Sequence, residues 1–387
     1  MDFTFNDEQR AFRSLLRDFV EKEIKPVAGE WERTGRYPTE IVEQMKEMGL
    51  FGMTIPEEFG GLGLDMVSFS LVFEELARGW MAIAGILGSH SLSCWMINRY
   101  GTDEQKKKYL PELATGKRRS GIGLTEPGAG TDLQGIRTTA KLDGDSYVIN
   151  GTKMWITNAR YANPLPVLCK TDPSATPAHK GMSVILVEQG TPGFTVNRDI
   201  GKLGYKGTES CEVVLDNVRV PKENLLGGIE GKGMQQVLAG LETGRLNVAA
   251  RSVGIAQASY EAALEYSKNR QAFGQPISEF QAIQLKLATM ATQTQAARLM
   301  VYWAASKADA GERVDMESGM AKYFASEVAI ETSLEAMRVH GGYGYSTEFV
   351  VERLYRDAPL MSIGEGTNDI MRTVIAKSLL SGKTKIE

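Results

Sequence analysis

After Gly233 the chain offers three stretches, 234–269, 279–310 and 315–339, each long enough and rich enough in alanine and other small residues to form one long helix. Helices of that length find most of their stability by burying a face against one another, so neighbours of this kind form a bundle. The first hundred or so residues are helical as well. Asn6 followed by Gln9 makes a capping box, and Phe12, Leu15, Leu16, Phe19 and Ile24 then recur at helical spacing. Between these zones, from about 119 to 225, the pattern changes to strands. Asp143-Gly144 sits between TTAKL and SYVING as a hairpin signal, and GMSVILVE and ESCEVVLDNVRV are β-branched runs. A chain of 387 residues is also too long for one ordinary core. The expected organisation is α, then β, then α, with domains at 1–118, 119–228 and 229–387.

Composition removes several function classes. The net charge of -4 argues against a nucleic-acid partner, which calls for a basic excess. No apolar run approaches the roughly 20 residues that span a bilayer, and the polar N-terminus lacks a secretion signal's apolar core. Cys94, Cys169 and Cys211 are scattered and odd in number, which suits a reducing, cytoplasmic setting. His90, His179 and His340 are equally scattered, so no metal site is expected. The common cofactor signatures are missing too. There is no G-x-G-x-x-G on a strand–helix unit and no G-x-S-x-G elbow, and Gly231-Lys232 is followed by Gly233 rather than the Ser or Thr of a P-loop.

What remains is a series of distinctive clusters: IPEEFGGLGLD at 55–65, YGTDEQKKKYLP at 100–111, LTEPGAGTD at 124–132 and NGTKMWITN at 150–158. NRQAFGQPISEFQAIQ at 269–284, RVHGGYGYSTE at 338–348 and RDAPLMSIGEGTNDIMR at 356–372 continue it. In this order, over nearly the full chain, they resemble the acyl-CoA dehydrogenase family. The resemblance implies an α+β multidomain fold: an N-terminal α-helical domain, a central β-barrel-like domain and a C-terminal four-helix bundle. It implies FAD as cofactor, α,β-desaturation of an acyl-CoA thioester to the trans-2-enoyl-CoA, and electrons passed to an electron-transfer flavoprotein. It also implies a homo-oligomer, usually a tetramer.

The chemistry needs a carboxylate to remove the weakly acidic proton next to the thioester carbonyl, while flavin N5 takes a hydride from the next carbon. By resemblance Glu365 is that base, and its backbone N–H and a flavin ribityl hydroxyl would hold the enolate oxygen. Ile363, Gly364 and Gly366 beside it are apolar or small, so the carboxylate can lie in a dry pocket that raises its pKa. Ile122, Leu124, Thr125, Gly130 and Thr131 belong to the loop along the flavin, with Thr125 a hydrogen-bonding candidate. Trp155, Ile156 and Thr157 match the segment that covers the ring. Arg270, Phe273 and Gln281 match residues reaching the ADP half of FAD in a neighbouring subunit, and Arg338, Gly341, Gly342, Thr367 and Asp369 complete that site. For the CoA thioester, Glu242 and Arg245 match a helical pair, with Thr131 and Gly366 as pocket contacts.

Some relatives carry the catalytic glutamate immediately before that arginine. Here the position is Gly244, and Glu242 two residues earlier faces another direction, as a binding or surface residue. Further departures are Ile122 where many relatives have an aromatic residue, Asp369 where Gln or Glu is commoner, and Arg338 and His340 where Gln and Leu are usual. Dehydrogenases of dicarboxylic thioesters can use an Arg near 80–95. WMAIAGILGSHSLSCW holds no Arg or Lys, which weighs against a carboxylate-ended substrate. Two other readings stay open: a same-fold oxidase, marked by peroxide production, and a non-catalytic scaffold, marked by the absence of flavin.

Overall fold

The computed structural model describes residues 4–382. Six helices form the N-terminal part: α1 Asp7–Phe19, α2 Lys25–Thr34, α3 Thr39–Glu47, α4 Met66–Gly79, α5 Met81–Tyr100 and α6 Asp103–Ala114. The capping box forms as read: the Asn6 side chain accepts from the Gln9 N–H at 2.7 Å, and the Gln9 side chain accepts from the Asn6 N–H at 3.2 Å. A π-helical turn, Val20–Ile24, joins α1 to α2 and sends both of those residues into the core. Helices α4 and α5 are buried around almost their whole circumference, as helices at the centre of a protein are.

The middle domain holds β1 Thr139–Asp143, β2 Ser146–Thr157, β3 Leu165–Lys170, β4 Met182–Val187, β5 Phe194–Asp199 and β6 Ser210–Pro221. The Asp143-Gly144 signal is the β1–β2 hairpin, with Asp143 opposite Ser146 and Gly144 at φ +61°. The six strands make one sheet in the order β4-β3-β1-β2-β6-β5. The expected barrel-like closure is not found among the described residues, because edge strands β4 and β5 do not meet. β4 is capped by a bridge from Ile185 to Leu225 and by the first turn of the next helix. An edge covered in this way offers no free ladder for closure.

That helix is α7, Gly233–Asn269, followed by a tight hairpin (β7 Gln271–Ala272, β8 Gln275–Pro276), α8 Gln281–Asp309, α9 Asp315–His340, α10 Val351–Ile363 and α11 Asn368–Leu380. The three long helices match the sequence reading to within two residues at each end. α7, α8 and α9 pack on one another, α10 lies on α7 and α9, and α11 on α9. α7 also lies against α4 and α5. Gly254 permits the α4 contact, since a β-carbon there would come within 2.3 Å of the Glu74 carbonyl oxygen. The N-terminal helices and the bundle therefore share one core, with α7 packed at its centre against α4, α5, α8 and α9.

Candidate active site

Glu365 lies in the link between α10 and α11. Gly364 ends α10, Glu365 and Gly366 follow at φ 53° and 97°, and Thr367 caps α11 by accepting from the Ile370 N–H at 3.4 Å. A glutamate at positive φ is strained, and such strain persists only where surrounding contacts enforce it. Here Lys322 of α9 enforces it. Its fully buried ammonium donates to the Gly366 carbonyl at 2.7 Å and to Asn368 Oδ1 at 2.9 Å. Asn368 in turn donates to Ser326 Oγ and Glu327 Oε1.

The link turns the carboxylate towards α7. Oε1 is 3.4 Å from Asn247 Nδ2 and 3.7 Å from Arg251 Nη2, and Oε2 has no hydrogen-bond partner among the described residues. The side chain is 21 % exposed. Burial pushes its pKa up to about 7, against the opposing pull of Arg251, Lys322 and Arg245. Gly244 faces it so closely that a β-carbon there would sit 2.0 Å from Oε2. The buried Tyr205 hydroxyl lies beside Thr157 and Arg251, linking the end of β2 to this cluster.

The loop from Ile122 to Thr131 is moored to β2. The Met154 N–H donates to the Thr125 carbonyl at 2.7 Å, and buried Lys153 donates to the Leu124 carbonyl at 3.0 Å and to Glu126 at 2.9 Å. Glu126 also accepts from the backbone N–H groups of Arg137 and Thr138 and from the Thr138 hydroxyl. Burial alone would raise its pKa, but these donors outweigh burial and hold it low. Ile122 and Leu124 pack against a separate apolar cluster that includes Met96, Leu110 and Leu168, whereas Gly130 and Thr131 are exposed at the far end of the loop. The β2–β6 register slips between Lys153 and Ile156, and the slip carries Trp155 out at φ 64° with 54 % of its surface exposed. Ile156 turns into the core and Thr157 returns to the Tyr205 side.

Arg270, Gly341 and Gly342 line a cavity of about 600 Å³ together with Tyr266, His340 and Tyr343. His340 stacks on Tyr266 with ring centres 4.1 Å apart, and burial lowers its pKa. Phe273 stands on the hairpin tip at φ 51° and is 96 % exposed, with Gln281 starting α8 close by in sequence. Arg338 does not join the Arg270 group. It pairs with Glu335, which also holds Lys286, in a separate groove between α8 and α9. The Asp369 side chain is 89 % exposed and, among the described residues, its ion-pair partner is Arg372 at 3.5 Å.

Glu242 and Arg245 meet on Asp315: Arg245 Nη1 is 3.3 Å from its carboxylate, and Glu242 is pushed up to about 7 by burial first and then by Asp315. Sequence reasoning missed Tyr205, Asn247, Arg251, Asp315 and Lys322. Arg251 and Lys322 had a usable signal, being lone cations among small and apolar residues in AARSVG and GMAKYFA. Among the described residues no acidic, His or Cys cluster could hold a metal ion, and no helix is long and apolar enough to cross a membrane.

Three family models match in succession: "Acyl-CoA dehydrogenase, N-terminal domain" over residues 6–117, the middle domain over 121–218 and the C-terminal domain over 231–380. The chain is 44% identical to a probable acyl-CoA dehydrogenase of Bacillus subtilis, covering 98% of this chain and 100% of the relative. It is 39% identical to a caffeyl-CoA reductase–Etf complex subunit of Acetobacterium woodii, covering 97% and 99%. The structure of butyryl-CoA dehydrogenase from Megasphaera elsdenii matches with a TM-score of 0.95 at 39% identity, over 98% and 100% of the two chains. A glutaryl-CoA dehydrogenase from Mycobacterium smegmatis, solved in complex with FADH2, matches with a TM-score of 0.92 at 30% identity, over 99% and 97%.

Proposed function

This chain belongs to the acyl-CoA dehydrogenase family, and we propose that it desaturates an acyl-CoA thioester to the trans-2-enoyl-CoA with Glu365 as the base. It is an oxidoreductase acting on CH–CH groups, and FAD is its cofactor. The residues present suit that group. An exposed indole on a strained bulge, a moored loop beside it and a cavity holding Arg270 offer separate places for a ring and for a charged dinucleotide tail. We assign Leu124–Thr131 and Trp155–Thr157 to the flavin, and Arg270, Phe273, Gln281, Gly341 and Gly342 to its ADP half in a neighbouring subunit of a tetramer. When bound, FAD supplies the acceptor for the hydride that leaves the β-carbon.

The chain's own part is the proton. Glu365 takes it from the α-carbon, and a carboxylate raised to about 7 is matched to that task near neutral pH. The observation that carries the assignment is the partnerless Oε2 of Glu365, buried opposite a glycine on a turn that Lys322 holds under strain. The Glu365 N–H is the enolate donor on the protein side. Glu242, tied to Asp315, is a binding residue with Arg245.

The test is anaerobic mixing of purified protein with straight-chain, branched, aryl and carboxyl-ended acyl-CoAs. A yellow protein bleached by at least one of them supports the reading. Absence of flavin after reconstitution, or a flavin that none of them bleaches, contradicts it. The electron acceptor we propose is an electron-transfer flavoprotein; rapid reoxidation by oxygen with peroxide release would assign the chain to the oxidases instead.

A further inference from the structure

The polar groups around Glu365 exceed what proton abstraction requires. Arg251 is the one charged residue in the segment VAARSVGIA of α7, and its side chain is 7 % exposed. Among the described residues its ion-pair partner is Glu365, at 3.7 Å, and its Nε has no hydrogen-bond partner. The neighbouring cations are better served, Arg245 by Asp315 and Lys322 by the Gly366 carbonyl and Asn368.

Two neutral groups join Arg251. The Tyr205 hydroxyl occupies space left by Gly85 of α5, where a β-carbon would come within 1.7 Å of it. Asn247 fills the space beside Gly88, where a β-carbon would come within 2.8 Å of Nδ2, and its Oδ1 is unpartnered among the described residues. Glycines on α5 thus make room for polar groups that α7 and the 205 loop present beside the base. The moment Glu365 accepts the substrate proton it becomes neutral, and Arg251 is left as a buried, unpaired cation. An arginine cannot give up its charge to relieve this, and an uncompensated buried charge is strongly unfavourable. A plain alkyl chain offers it nothing.

We infer that the acyl group brings its own carboxylate to Arg251, with Tyr205 and Asn247 as flanking donors, so that the substrate is the CoA monothioester of a short dicarboxylic acid. This rests on the dehydrogenase reading and deepens it. The absence of Arg and Lys from residues 80–95 weighed against such a substrate, but the cation comes instead from α7, the helix packed on α5. The carboxylate is bound and chemically unchanged. By drawing Arg251 away from Glu365 it also removes a cation that holds the base's pKa down, which strengthens the base.

The test uses the holoenzyme in anaerobic flavin-bleaching assays with matched pairs: succinyl-CoA against butyryl-CoA and glutaryl-CoA against pentanoyl-CoA, with 3-phenylpropionyl-CoA as an aryl comparison. The carboxylated member of at least one pair is expected to show kcat/KM about tenfold or more above its partner, the scale of one charge-assisted hydrogen bond. Arg251→Gln is expected to abolish that preference and Arg251→Lys to retain part of it, with flavin content showing that both variants are folded. The wild-type ranking decides even if the variants do not fold. Bleaching by the alkyl or aryl thioesters in preference to both dicarboxylic ones overturns this inference and leaves the dehydrogenase reading standing. A preference that survives in Arg251→Gln overturns the role of Arg251. Bleaching by no thioester of any class overturns both readings.

Discussion

A β-carbon on Gly244 would lie 2.0 Å from Oε2 of Glu365, so the position immediately before Arg245 on α7, which lacks a carboxylate here, is also a position that must stay bare for Glu365 to reach inward. The obstructed atom ends a flexible side chain, so an added methyl group displaces the carboxylate without disturbing the backbone. Gly244→Ala should therefore stay folded and yellow while its flavin bleaches about 10²–10⁴-fold more slowly, the range for losing a general base. Stopped-flow bleaching with flavin content as control measures this, and an unchanged rate would remove Gly244 from the account.

The pH profile follows from the environment of Glu365. Its pKa of about 7 means that bleaching should rise with pH as the carboxylate forms, with a midpoint near neutrality. Lys322 favours the ionised form, so Lys322→Met removes a stabilising cation and should move the midpoint to higher pH. Loss of the Gly366 anchor should also lower the plateau. A variant that merely loosened the fold would lower the plateau with no shift in midpoint, and that result would deny Lys322 its positioning role.

Phe273 is 96 % exposed at a left-handed φ, and both features cost a free monomer stability. Burying a Phe side chain against another subunit contributes about 2–3 kcal/mol. Phe273→Ser is expected to shift the holoprotein from the proposed tetramer towards smaller species in sedimentation velocity and to weaken FAD retention. Arg270→Gln should weaken FAD retention with the assembly intact. A Phe273→Ser protein with unchanged assembly and a full complement of flavin would remove Phe273 from both the subunit interface and the ADP site.

Much of this was legible in the sequence because it was local. The capping box at Asn6, the Asp143-Gly144 hairpin and the three long helices are set by neighbours within a few residues, and they formed where read. The clusters around Glu365, Trp155 and Arg270 were legible as resemblance, and their residues face cavities, bulges or turns. What could not be read depends on packing between distant segments. Nothing near Tyr205 in sequence tells that Gly85 leaves room for its hydroxyl, or that Asn247 of α7 reaches Glu365. The open sheet depends on what covers β4, which the nearly continuous apolar run of that strand does not encode. Arg338 went to a different groove from Arg270 because Glu335, one turn back on α9, claims its guanidinium.

The most direct measurement is anaerobic stopped-flow reduction of the flavin in Glu365→Gln. Glutamine keeps the size of the side chain but cannot take the α-proton at neutral pH. The variant should be a yellow protein whose spectrum still shifts on adding the acyl-CoA that bleaches the wild type, with reduction slowed about 10²–10⁴-fold or more. Glu242→Gln, alongside it, should change the acyl-CoA concentration required more than the limiting rate. Reduction of Glu365→Gln at the wild-type rate, with Glu242→Gln arrested instead, would deny Glu365 the role of base and move it to Glu242 of α7.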